Sequence, residues 1–179
     1  MSEVARLPEA WQAAHAANMD TPTTFESFFE GESERLLRAL CVITGSRAEA
    51  EDIAQDAFIR IFERWDSVRT MDNPSGYLYR TALNRFRNEY RRTTQALRRA
   101  VGLVPPPDVF EAVDDHDLAV QTLGRLPARQ RAALVLTEGL GFSGEETGAI
   151  LGVKASTVWA LTHQAREALK ATREEVLDG

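Results

Sequence analysis

The stretch Ser143-Gly144-Glu145-Glu146-Thr147-Gly148-Ala149-Ile150-Leu151-Gly152-Val153-Lys154-Ala155-Ser156-Thr157-Val158 reads as two helices meeting at a glycine corner. Ser143 is an N-cap with Glu146 three residues on, the arrangement of a capping box. Gly148 lets the second helix come close, Ile150 and Leu151 face inward, and Gly152 makes the turn. Val153 then plugs the core, Ser156 caps the second helix, and Val158 and Leu161 pack it down. Two helices crossing at about 90–120° through a short turn need such a small contact residue and a flexible corner. The pattern therefore predicts a helix-turn-helix. A plain helical hairpin in a bundle would satisfy the same spacing, and the geometry alone does not imply DNA binding.

Working outward, every other strong signal is also helical, and no stretch alternates like a strand. Phe25, Phe28, Phe29, Leu36, Leu37, Leu40 and Ile43 recur at helical spacing until Gly45 breaks the run. Ser46, with Glu49 after it, caps a second helix that runs to about residue 65. Its core stripe is Ile53, Ala57, Ile61 and Trp65, with Ala54, Phe58 and Phe62 beside it. Residues 66–76 read as a polar loop, with Asn73 capping a helix that Pro74 can open. That helix carries Tyr77, Leu78, Ala82, Leu83 and Phe86 and is expected to fray over 93–100. Pro105-Pro106-Pro107 exclude a helix interior, the acidic residues after them suit a core poorly, and together they mark a linker. Helices are then expected over 117–123, 127–137, 143–151 and 155–175. Residues 1–23 read as a variable, mobile extension.

The composition narrows the function. Of the 179 residues, 44% are hydrophobic and 27% charged, which is ordinary for a folded domain. No apolar run is long enough to insert into a membrane, and the N-terminus lacks the apolar core of a secretory signal. A cytoplasmic protein is the expectation. The single cysteine, Cys41, excludes an internal disulfide and multi-cysteine zinc sites. His15, His116 and His163 show no metal-ligand spacing, and there is no phosphate-binding glycine loop or nucleophile elbow. The reading is of no enzyme, no metal and no cofactor. Charge distribution says more than the net −6. Residues 73–100 hold seven basic side chains against one acidic, a net of +6 inside an acidic chain. Arg80, Asn84, Arg87 and Arg91 fall on one face of that helix. Such a narrow footprint suits nucleic acid met with help from a partner more than autonomous duplex binding.

Three blocks, in order around the proline-rich linker, carry a family resemblance over residues 24 to about 170. The first is Ala50-Glu51-Asp52-Ile53-Ala54-Gln55-Asp56-Ala57-Phe58-Ile59-Arg60. The second is Asn73-Pro74-Ser75-Gly76-Tyr77-Leu78-Tyr79-Arg80-Thr81-Ala82-Leu83-Asn84, continuing to Arg92. The third is Leu126-Pro127-Ala128-Arg129-Gln130-Arg131 followed by the helix-turn-helix. Together they resemble a bacterial RNA polymerase sigma factor of the extracytoplasmic-function type, in the sigma-70 family. The resemblance implies an all-α chain of two small helical domains joined by a Pro-rich linker. Residues 24–100 would be sigma region two, 101–114 the linker and 115–179 sigma region four. It also implies a function: binding core polymerase, recognising and melting promoter DNA, and starting transcription. Polymerase would be met by Asp52, Gln55, Asp56, Arg60 and Glu63, docked on the clamp helices of the beta-prime subunit, with the beta subunit also contacted. The −10 element would be met by Arg69, Asn73, Tyr77, Arg80, Asn84, Arg87 and Arg91, with loop 66–76 taking a flipped base. The −35 element would be met by Lys154, Ser156, Thr157, Trp159, Ala160, His163 and Gln164.

The recognition helix departs from the family. Trp159, Leu161 and Gln164 stand where members commonly carry basic residues. Thr162, His163 and Gln164 can still hydrogen-bond bases, and Trp159 can meet a thymine methyl. Trp159 would equally serve as an apolar anchor for a protein partner such as an anti-sigma factor. Two alternatives therefore stay open beside a promoter-directing sigma factor. One is a sigma-like interaction protein with weakened −35 binding. The other is an autonomous helix-turn-helix regulator, which would shift duplex DNA without polymerase.

Overall fold

Capping residues and glycines cut the chain into helices at defined points. The computed structural model describes residues 24–101 and 122–177, with side chains over 24–88 and 122–172. The extension at 1–23, nearly all of the linker and most of the helix expected at 117–123 lie outside the described residues. Helix α1, Phe25–Thr44, opens on Thr24, whose hydroxyl accepts from the Ser27 amide at 3.2 Å. It closes on Gly45 at φ 76°, whose amide returns to the Cys41 carbonyl at 2.9 Å. Helix α2, Arg47–Glu63, starts behind Ser46, which accepts from the Glu49 amide. It stops two residues short of the expected Trp65. That tryptophan instead opens a one-turn helix α3, Trp65–Val68, inside what the sequence presents as a loop. The turn is held from the core side, because Val68 is fully buried.

Helix α4, Pro74–Val101, begins where Asn73 accepts from the Gly76 amide at 2.6 Å. It runs through 93–100 instead of fraying there. Its Leu78, Ala82 and Leu83 are buried with Leu36, Leu40 and Ile43 of α1 and Ile53, Ala57 and Ile61 of α2. Burying each of these leucine and isoleucine side chains contributes roughly 1.5–3 kcal/mol. The outer member of the second row of α2, Phe62, is 62% exposed and rests edge-on against the Phe25 ring.

The C-terminal half holds α5, Ala128–Leu134, then a π-helical turn, Val135–Gly139, in which the Leu140 amide reaches the Val135 carbonyl at 2.9 Å. Helix α6, Gly144–Leu151, and helix α7, Ala155–Leu177, form the helix-turn-helix. Ser143 and Glu146 make the full capping box. A Cβ on Gly148 would stand 2.8 Å from the Val153 carbonyl oxygen, so the close approach inferred from sequence is real. Gly152 sits at φ 67°. Helix α7 starts one residue before Ser156, which therefore lies exposed in the first turn and is not the cap.

The two halves share one apolar core. Helix α6 lies on α4, and α5 with the π turn lies on α1. The Tyr79 and Phe142 rings meet edge to face across the seam, 5.3 Å apart. No strand occurs among the described residues, and no helix there is long and apolar enough to cross a membrane.

Candidate nucleic-acid interface

The outer face of α2 and the near face of α4 line a polar groove. Arg60 and Glu63 come from α2; Tyr77, Arg80 and Asn84 come from α4; Asp56 and Thr81 close the floor. Members of two residue sets that the sequence separates, Asp56, Arg60 and Glu63 for polymerase and Tyr77, Arg80 and Asn84 for the −10 element, thus border a single groove. Asp52, Gln55, Arg60 and Glu63 are exposed. Asp56 is not a free acid, because its carboxylate is ion-paired with Arg85 of α4. Arg85 also donates to the Asp52 carbonyl at 3.2 Å, which ties α4 to α2. Ile59, 50% exposed, sits among these polar groups. Sequence reasoning overlooked it; its position, one turn from Asp56 and Glu63 and two from Asp52 on the polar face of the helix, was the available signal.

The proposed −10 set is only partly gathered. Arg80 is exposed and Tyr77 and Asn84 are half-buried along the groove. Arg69 is exposed in the loop and paired with Asp66 at 3.3 Å. Asn73 spends its amide nitrogen on Glu146 of α6, at 2.8 Å. Arg87 is tied up by a neighbour on its own helix and by the end of α6. One nitrogen donates to the Asn84 side-chain oxygen at 3.0 Å and another to the Leu151 carbonyl at 3.1 Å. The Arg91 side chain lies outside the described residues. Behind α4, Glu32 is fully buried and accepts from the Ser75 hydroxyl at 2.7 Å, pinning the start of the helix. Burial, with the Glu32 carboxylate nearby, pushes the Tyr79 hydroxyl far above the usual tyrosine range.

On α7 the exposed face carries Ser156, Thr157, Trp159, His163 and Gln164, with Ala160 half-buried and Lys154 exposed just ahead of the helix. Gln164 accepts from the Gln130 amide of α5 at 3.1 Å. Thr162 is not available to bases: it is buried, and its hydroxyl donates to the Val158 and Trp159 carbonyls at 3.0 Å each. Among the described residues no group of three His, Cys, Asp or Glu side chains is placed to hold a metal ion.

The model of Sigma-70 region 2 matches residues 28–96, and that of Sigma-70 region 4 matches residues 116–169. The RNA polymerase sigma-E factor of Streptomyces avermitilis is 30% identical over 155 residues, 85% of this chain and 84% of that protein. The chain is a sigma factor of the sigma-70 family, in its extracytoplasmic-function group. The ECF sigma factor SigM of Mycobacterium tuberculosis strain H37Rv is likewise 30% identical, over 88% of this sigma factor and 80% of the relative. In fold, the sigma factor resembles RpoE of Bartonella quintana, solved with the anti-sigma factor NepR, at a TM-score of 0.68 and 23% identity. That match covers 84% of this chain and 96% of RpoE. It also resembles CnrH, solved with the cytosolic domain of CnrY, at 0.57 and 22%, over 92% and 95% of the two chains. This sigma factor therefore binds core RNA polymerase and directs it to promoter DNA.

Proposed function

We propose that the groove between α2 and α4 is where polymerase and the −10 element meet on this chain. The observation that carries the reading is the shared border: Arg60 and Glu63 on one wall, Tyr77, Arg80 and Asn84 on the other. The exposed part of α2 would dock on the polymerase clamp helices. The groove floor would then hold single-stranded DNA beside them, with the Tyr77 ring offered for stacking and Arg80 for phosphate. Capturing unstacked bases offsets a duplex cost of roughly 1–2 kcal/mol per step. Helix α7 would enter the major groove of the −35 element, as the second helix of this motif does. In domain terms, residues 24–100 are region two, 101–114 the linker and 115–179 region four.

The working site of such a protein is the cytoplasm, beside polymerase, and no catalytic step is assigned to it. An anti-sigma factor is a proposed further partner, supported by the likeness in fold to RpoE and CnrH. The test is run-off transcription with core polymerase. Wild-type chain should start transcripts at defined sites, and the Arg80→Ala, Asn84→Ala double variant should bind core normally yet open promoters poorly. Normal opening by that variant would remove the groove from the DNA path.

A further inference from the structure

Trp159 is the most exposed large apolar side chain among the described residues, at 70%. An indole left in water forgoes the burial that stabilises every core side chain. It is nevertheless held. Its ring lies parallel to the His163 imidazole one helical turn away, with centroids 5.5 Å apart and planes 4° apart. The stack fixes the indole as a flat apolar plate on the outside of α7.

The electrostatics of that stretch of α7 do not oppose a polyanion. From 154 to 166 the sequence holds Lys154 and Arg166 and no carboxylate. Arg166 is taken by Glu138, at 2.6 Å from its Nε. The first acid of α7, Glu167, is hydrogen-bonded to the Lys170 ammonium at 2.8 Å. So few free cations release few counterions, and phosphate contacts alone give this helix little affinity. Discrimination must then come from base edges. In the major groove the single apolar edge is the thymine C5-methyl. Trp159 is the fifth residue of α7, and the early residues of a recognition helix are those that reach base edges.

We propose that the Trp159–His163 stack reads thymine methyl groups in the −35 element, with the Gln164 amide beside it for a polar base edge. This rests on the reading that α7 enters that element.

The test uses holoenzyme assembled from the full chain and core polymerase. Binding sites are selected from duplexes randomised over the −35 element, and each selected thymine is then replaced by deoxyuridine, which lacks only the methyl. Wild-type holoenzyme should recover thymine at one or two positions. Deoxyuridine there should weaken binding about fourfold, the worth of roughly 0.8 kcal/mol for one carbon withheld from water. Trp159→Ala should bind more weakly and lose the difference between thymine and deoxyuridine, while Trp159→Phe retains it. Selection without thymine, a wild type indifferent to deoxyuridine, or a Trp159→Ala variant that keeps the difference would each overturn the proposal. Scrambling the whole element separates the two levels. If scrambling has no effect, the reading of α7 fails as well; if scrambling matters and deoxyuridine does not, only the methyl contact fails. Loss of protein-partner capture by Trp159→Ala with an unaltered deoxyuridine response would assign the indole to a protein instead.

Discussion

Arg131 of α5 reaches from the C-terminal half into the end of α1 and donates to the Ile43 carbonyl from two nitrogens, at 3.1 and 2.7 Å. The guanidinium is fully buried and also donates to the carbonyls of Gly124 and Leu126. The last carbonyls of a helix have no partner within it, and its C-terminus favours a cation. Arg131 thus satisfies α1 from outside. Arg131→Leu should lower the free energy of unfolding in urea by at least about 3 kcal/mol, at roughly 1 kcal/mol or more for each orphaned carbonyl. Arg131→Lys should recover only part of this, since one ammonium cannot reproduce the planar fork.

A second prediction concerns the helix-turn-helix corner. A Cβ on Gly152 would lie 2.4 Å from Arg87 Nη1, and the residue has φ 67°. Gly152→Ala should destabilise by more than about 1 kcal/mol from backbone strain alone. Part of the loss should vanish in an Arg87→Ala background, where nothing occupies the space. A double-mutant cycle should return a coupling of about 1 kcal/mol; additive losses would mean that Arg87 yields freely.

On α2, charge reversals should separate folding from docking. Glu63→Arg changes an exposed side chain and should leave stability within about 0.5 kcal/mol while weakening core polymerase binding. Asp56→Arg should do both kinds of damage, because it sets a second guanidinium against Arg85. Equal polymerase affinity for wild type and Glu63→Arg would exclude that end of the face.

Groove residues should differ in their salt behaviour. Arg80→Ala should reduce the slope of open-complex formation against log salt by about one unit, as expected for one lost phosphate contact. Asn84→Ala should leave the slope alone and relax preference at a base. Filter binding of holoenzyme across a salt series distinguishes the two.

Tyr79 ties stability to alkaline pH. Its hydroxyl is buried with no hydrogen-bond partner among the described residues, and its ionisation is pushed upward. The folded chain therefore holds the phenol neutral, whereas the unfolded chain ionises it near pH 10. This contribution is intact below about pH 10 and is lost as pH rises above it, since unfolding then releases a proton. Tyr79→Phe should be neutral or slightly stabilising at pH 7 and should flatten the decline above pH 10, as followed by thermal melts.

Local features of the fold were legible in the sequence. Ser143, Glu146, Gly148 and Gly152 act through neighbours a few residues away, so their spacing alone specifies the corner. The stripe Ile53, Ala57, Ile61 is legible for the same reason. Non-local features were not. Phe62 has the spacing of a core residue but projects past the edge of the helix pair, and Arg131 has the charge of a surface residue but lies in the seam. The π turn at 135–139 breaks no propensity rule. Of the site, the residue types were readable, whereas the engagement of Asp56, Asn73 and Arg87 with partners 29, 73 and 64 positions away required the fold.

Helix α6 touches both α4 and α7, so the two helices proposed to read DNA stand one helix apart, a gap of about 10 Å. On the proposed assignment they read elements some 25 base pairs apart by name, or about 85 Å of straight duplex at 3.4 Å per step. No arrangement that keeps α6 on α4 spans that length. On that assignment, reading both elements on one promoter would begin with parting the seam at Arg131, Asn73 and Arg87. Each 1.4 kcal/mol required to part it lowers the apparent affinity for a complete promoter about tenfold. Polymerase, by gripping the halves separately, would supply that separation in advance, and the strength of the seam sets how silent the free chain remains on DNA.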